Sequence, residues 1–146
     1  MVNPRIIIVD DHKIFGEGFC SLLESNNYRV LRVFNDAKSA LIYINKKNKI
    51  DIIFSDINMP NINGLDFLKE IKKNNKEIKV IMMSMYTDKN IINQAIKNNA
   101  DGYLSKNCSI MDIEKAISNC IKGKANFNNN LIDCKKNISD GFSLKY

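Results

Sequence analysis

The chain alternates, five times over, a short β-branched run with a longer stretch whose apolar residues recur at helical spacing, and few architectures accommodate that rhythm. Strands are expected at Arg5 to Val9, Tyr28 to Phe34, Asp51 to Ser55, Ile78 to Met83 and Gly102 to Leu104. Helices are expected at Lys13 to Ser25, Ala37 to Lys46, Gly64 to Lys73, Lys89 to Asn98 and Ser109 to Lys122. The runs Ile6 to Val9 and Ile52 to Phe54 are apolar without alternation, as a strand covered on both faces must be, and that points to a parallel sheet. The expected fold is therefore α/β, a doubly wound five-stranded parallel sheet with five helices. Asp36, Asp88 and Ser109 stand where a side-chain oxygen can cap a helix start, and Gly123 stands where the last helix closes.

At 146 residues the chain is long enough for one domain with a real core. Its longest apolar stretches are strand-length and its first residues lack the pattern of a signal peptide, so a cytoplasmic location is expected and no membrane span. Twenty-two basic against 16 acidic residues leave a net charge of +6, which in sum would suit a nucleic-acid binder. The lysines (Lys46, Lys47, Lys49; Lys69, Lys72, Lys73, Lys76; Lys122, Lys124) are scattered, with no Arg cluster and no interleaved aromatics, which favours a solvated surface. Cys20, Cys108, Cys120 and Cys134 show no CxxC spacing and no histidine partners, so reduced, structural thiols are expected rather than a zinc or redox site. From Ala125 to Tyr146 the periodicity stops in an Asn-rich, polar stretch, read as a tail or the start of a linker after a domain spanning 1–124.

Ligands of open parallel sheets bind beyond the carboxyl ends of the strands, so those ends carry the functional information. The first ends in Asp10 and Asp11, the third in Asp56. Three carboxylates gathered at one edge repel each other unless a cation sits among them, and Mg2+ suits such a site because it takes few carboxylates and keeps positions for phosphate oxygens. Ser84 and Lys106 end the fourth and fifth strand segments and add a hydroxyl and an ammonium. That set suits a phosphoryl group attached to one carboxylate. No Gly-rich phosphate loop is present, so the phosphoryl group has to come from another donor.

Asp10-Asp11-His12, Asp56 with Met59-Pro60 and Gly64 after it, Ser84, and Gly102-Tyr103-Leu104-Ser105-Lys106 together resemble the receiver domain of two-component response regulators. The runs Met83 to Asp88 and Gly102 to Leu104, with Asn107 after Lys106, look like the NarL/FixJ (LuxR-type) branch. The resemblance implies a flavodoxin-like strand order 2-1-3-4-5. It also implies Asp56 as phospho-acceptor from a sensor histidine kinase, and Mg2+ held by Asp10, Asp11, Asp56 and the backbone carbonyl of Asn58. Lys106 becomes the phosphoryl-binding lysine, and Ser84 and Tyr103 the switch pair that shifts the helix 4, strand 5 and helix 5 face. A homodimer on phosphorylation is a further implication. DNA would be reached only through a C-terminal helix-turn-helix domain, which needs roughly 60 residues; the 22 residues from Ala125 are too few for one.

Taken singly, these residues are less telling. An Asp pair is more often a helix cap with a solvated charge, Ser84 reads as readily as a turn hydroxyl, and Lys106 alone reads as solvent-facing. His12, the only histidine, reads as a packing or capping residue rather than a catalytic one. Tyr103 alone reads as an edge-strand aromatic. Ile91, Ile92, Ala95 and Ile96 cover more of a helix than one buried stripe needs, with core packing favoured for Ile92 and Ile96. A Mg2+-dependent phosphohydrolase would share the strand-end Asp but needs a second Asp two residues on, where Asn58 stands.

Overall fold

Alternate residues of β1 (Arg5–Val9) enter two separate cores: Ile6 and Ile8 belong to one, Ile7 and Val9 to the other, and all four are at most 1% exposed. The computed structural model describes residues 3–86 and 88–127. Within them follow α1 (Lys13–Ser25), β2 (Arg29–Phe34), α2 (Ala37–Asn45), β3 (Ile52–Asp56), α3 (Gly64–Asn74) and β4 (Lys79–Ser84). After these come α4 (Lys89–Lys97), β5 (Gly102–Ser105), α5 (Ile110–Ile121) and β6 (Asn126–Phe127). The strands pair in parallel in the order β2-β1-β3-β4-β5-β6. Phe19 and Leu23 of α1 and Ile113, Ala116 and Ile117 of α5 cover one face. Ala40 and Ile44 of α2, Phe67, Leu68 and Ile71 of α3 and Ile92 and Ala95 of α4 cover the other. This is the two-sided covering that the unbroken apolar runs of β1 and β3 require.

The expected caps form. Asp36 accepts from the Ser39 N–H at 2.7 Å, Asp88 from the Asn90 and Ile91 N–H groups, and Ser109 with Asp112 makes a reciprocal capping box. Gly123 closes the last helix with φ +76°, a value that favours glycine. Ile92 and Ala95 are buried as core residues, while Ile91 and Ile96 are half-buried against the same core. Cys20, Cys108 and Cys120 are free thiols. Burial, aided by Asp112 and by Asp101 respectively, pushes Cys108 up to about 11 and Cys120 up to about 12, so both stay protonated and unreactive. Cys134 lies outside the described residues.

Two differences from the sequence reading bear on the site. β3 and β4 start and end one residue later than the apolar runs suggest, so Asp56 and Ser84 are the last residues of their strands rather than the first of loops. Main-chain pairing continues past the point where the side chains turn polar. The sheet also has a sixth strand where a tail is expected. Asn126 and Phe127 pair with Gly102 and Tyr103, the Asn126 N–H reaches the Asp101 carbonyl at 2.7 Å, and Asn119 bonds the Asn126 side chain. Two residues carry no alternation to be read, and the fit depends on Gly102, where a Cβ would stand 2.7 Å from the Asn126 oxygen.

Candidate phosphoryl and metal site

β1, β3 and β4 are adjacent, so their carboxyl ends bring Asp10, Asp56 and Ser84 to one edge, and Lys106 follows β5 there. The backbone seats them closely: the Lys106 N–H bonds the Ser84 carbonyl at 2.8 Å and the Ile57 N–H bonds the Met83 carbonyl at 3.1 Å. Behind Asp56, the loop 57–63 is shut by the Gly64 N–H on the Ile57 carbonyl at 2.7 Å. A Cβ on Gly64 would lie 2.2 Å from the Asp56 carbonyl oxygen, so only glycine lets α3 start this close.

Lys106 is the positive centre. Its ammonium is 2.6 Å from Asp10 Oδ2 and 3.3 Å from Asp56 Oδ1, and all three side chains are 3% exposed. It also lies 4.5 Å from the centre of the Phe15 ring, which stacks on Phe19, which meets Phe54 edge-on. An α1 aromatic thus helps hold a lysine some ninety residues away in sequence.

One ammonium faces three carboxylates. Burial, with the Asp10 carboxylate behind it and Lys106 opposing, raises Asp56 to about 6. Asp11 Oδ1 and Asp56 Oδ2 are buried and have no hydrogen-bond partner among the described residues. Two orphaned carboxylate oxygens in a pocket with surplus negative charge are what a hard divalent cation satisfies, so the donor set fits Mg2+.

The structure brings together Asp10, Asp11, Asp56, Ser84 and Lys106 as the sequence suggests, with Asn58 exposed and its N–H 3.4 Å from Asp56 Oδ1. Ser84 is 5% exposed, and its hydroxyl accepts from the Tyr86 N–H at 3.1 Å. Tyr103 is 1% exposed on the α4 side of β5. Burial raises its phenol, the Ser84 hydroxyl opposes, and the Asp88 and Asp56 carboxylates add to the rise. His12 reads from the sequence as a packing or capping residue, and the structure places it otherwise. It occupies the N-cap position of α1 but makes no side-chain capping bond, and its ring turns back over the carboxylates. The only sequence signal for this is that it directly follows Asp10-Asp11 at a strand end.

A strand-end acidic pocket with a buried lysine, in a parallel sheet of this order, belongs to a flavodoxin-like receiver fold, and residues 6–118 match the family described as the response regulator receiver domain. The chain belongs to that family. It is 30% identical over 122 residues to the transcriptional regulatory protein DegU of Brevibacillus brevis, a match covering 83% of this chain and 51% of DegU. The chain thus spans about half the length of the curated relatives it matches. Among solved structures it is similar to the receiver domain of the putative response regulator NarL of Mycobacterium tuberculosis, with TM-score 0.76 and 28% identity over 84% of this chain and 98% of that one. It is also similar to the isolated receiver domain of RcsB from Salmonella enterica serovar Typhimurium, solved with the phosphomimetic BeF3-, with TM-score 0.78 and 26% identity over 88% of this chain and 96% of that one. These relatives are NarL/LuxR-type response regulators, which act as signalling switches.

Proposed function

We propose that this chain is the phosphorylation-controlled switch of a two-component relay, with Asp56 accepting a phosphoryl group from a phosphohistidine of a sensor histidine kinase. The observation that carries the reading is the pocket of three carboxylates and one buried lysine with two orphaned carboxylate oxygens. The Asp56 carboxylate attacks phosphorus, an O–P bond forms, and the P–N bond of the donor breaks with its electron pair going to the departing imidazole. Lys106 neutralises charge on the transferred oxygens, and its contacts with Asp10 and Phe15 fix it in place before transfer. Asp10, Asp11, Asp56 and the Asn58 carbonyl would hold Mg2+, which supplies positive charge beside the phosphoryl oxygens when bound.

Ser84 at the end of β4 is the hydroxyl placed to bond the phosphoryl group. Tyr103, packed beside it, follows, so that the surface of α4, β5 and α5 is the output. No helix among the described residues is long and apolar enough to cross a membrane, which accords with action in the cytoplasm. Relatives of about twice the matched length are named transcriptional regulators, and one RcsB structure is described as a complex with DNA. We therefore assign transcriptional output to a C-terminal helix-turn-helix domain outside this chain, with dimerisation on phosphorylation. From residue 128 on, the stretch Ala125 to Tyr146 that reads as a tail or linker lies outside the described residues.

Intact-mass analysis with a small acyl phosphate and Mg2+ tests the reading. One phosphoryl group should be gained, and both EDTA and Asp56→Asn should abolish it. A gain that survives Asp56→Asn overturns the assignment.

A further inference from the structure

The His12 ring is 64% exposed, so it packs no core, and it is turned toward the carboxylates. The His12 N–H donates to Asp10 Oδ1 at 2.8 Å, and its carbonyl accepts from the Gly16 N–H at 2.9 Å in the first turn of α1. With the main chain so held, Nδ1 stands 3.2 Å from Asp10 Oδ1, 3.3 Å from Asp11 Oδ1 and 3.7 Å from Asp56 Oδ2. Lys106 takes the opposite oxygens, Asp10 Oδ2 and Asp56 Oδ1. Asp10 and Asp56 are therefore split, one oxygen each toward the ammonium and one toward the mouth. On the mouth side Asp10 Oδ1, Asp11 Oδ1 and Asp56 Oδ2 stand around Nδ1, and one ligand atom from each of these four residues lies within 4.8 Å of the others. Two of those oxygens are the orphaned ones, and Asp56 is 3% exposed.

Donors bonded to one ion at about 2.1 Å stand roughly 3.0 Å apart along an octahedral edge and roughly 3.4 Å apart along a tetrahedral one. The spacings from Nδ1 to Asp10 and Asp11 fall in that range, and the one to Asp56 lies a few tenths of an ångström outside it. We propose that the mouth of the pocket is a three-oxygen, one-nitrogen site in which His12 Nδ1 ligates a late first-row divalent ion such as Co2+ or Ni2+. This rests on the reading that the carboxylates hold a cation, and it goes beyond it in adding a ligand that distinguishes among cations. Mg2+ gains little from an imidazole, whereas affinity for nitrogen donors climbs from Mn2+ through Co2+ to Ni2+. The pocket accordingly has two ligand sets, carboxylates alone for Mg2+ and carboxylates with His12 for the later ions.

His12 is the chain's single histidine, so in this chain without a tag an imidazole nitrogen on a bound metal has one source. Titration with Co2+ alone at a pH near 8 should give visible absorption of a mixed oxygen and nitrogen site. His12→Ala and His12→Gln should weaken Co2+ binding by about tenfold or more and shift that spectrum, while Mg2+ affinity changes by less than about threefold. Pulsed electron paramagnetic resonance with Cu2+ should show imidazole nitrogen coupling that is absent in His12→Ala. Unchanged Co2+ affinity and spectrum in both His12 variants, or equal weakening of Co2+ and Mg2+, overturns the proposal. Asp11→Ala separates the layers: it should weaken both ions, and if it weakens neither, the carboxylate metal site itself fails.

Discussion

The two edges of the sheet each carry a lysine 2.6 Å from an aspartate, and the surroundings of the two pairs differ. At the amino edge, Lys72 meets Asp101 and also donates to the Ile78 carbonyl at 2.8 Å, while Asp101 Oδ2 accepts from the Val80 N–H at 2.9 Å. Charges match one to one, and the Lys72 ammonium and Asp101 Oδ2 each have two partners. Arg5 and Asp51 repeat the pattern nearby: burial alone would raise Asp51, and its hydrogen bonds from Arg5 override this and lower it. At the carboxyl edge the same lysine–aspartate distance sits among surplus carboxylates and orphaned oxygens. The mark of the working site is the imbalance around the ion pair, since the pair itself is common to both edges.

The largest effect should come from removing the one cation of the unbalanced edge. Lys106→Met is expected to slow phosphorylation of Asp56 by about 100-fold, read from an intact-mass time course, because the transferred oxygens lose their fixed positive partner. The matching change at the balanced edge, Lys72→Met, should destabilise the fold by about 2 kcal/mol in urea unfolding by stranding Asp101, with the phosphorylation rate unchanged. A rate loss there would dissolve the contrast between the edges.

The third expectation has the opposite sign. Asp56 binds its proton more tightly in the folded chain, at about 6, than at its ordinary value of 3.8, so the native state holds the extra proton between those values. Stability contributed by this group is present at the acid end of that window and is lost as pH rises through about 6. Asp56→Asn should therefore raise the metal-free melting temperature at pH 7 by a few degrees, roughly 1–2 kcal/mol, with the gain shrinking below pH 5 and on adding Mg2+. Melting curves across pH, with and without Mg2+, measure it. A variant no more stable than the parent would mean that the carboxylates do not repel at this edge.

Most of the architecture was legible because burial on two faces leaves unbroken apolar runs, and caps such as Asp36 and Ser109 are local. What escaped is what pairing and distance decide. Asp56 and Ser84 are polar, so they read as loop although the ladder includes them, and Asn126-Phe127 is too short to show a period. Asp10, Asp11 and Asp56 could be gathered from strand ends alone. Lys106 could likewise be set at a strand end, but its burial could not be read, because that depends on Phe15 and Asp10, both far off in sequence. A lone histidine at a helix start usually caps or packs, and His12 does neither: it makes no side-chain cap, and its exposed ring lies over the carboxylates.

Gly64 has a mechanical consequence. With no side chain between α3 and the Asp56 carbonyl, and with the loop 57–63 pinned at both ends, the main chain behind Asp56 has nowhere to recoil. It acts as an anvil. On the function proposed above, a group added to the Asp56 side chain presses outward, toward the ends of β4 and β5 and the pocket mouth, and not back into the main chain closed behind it.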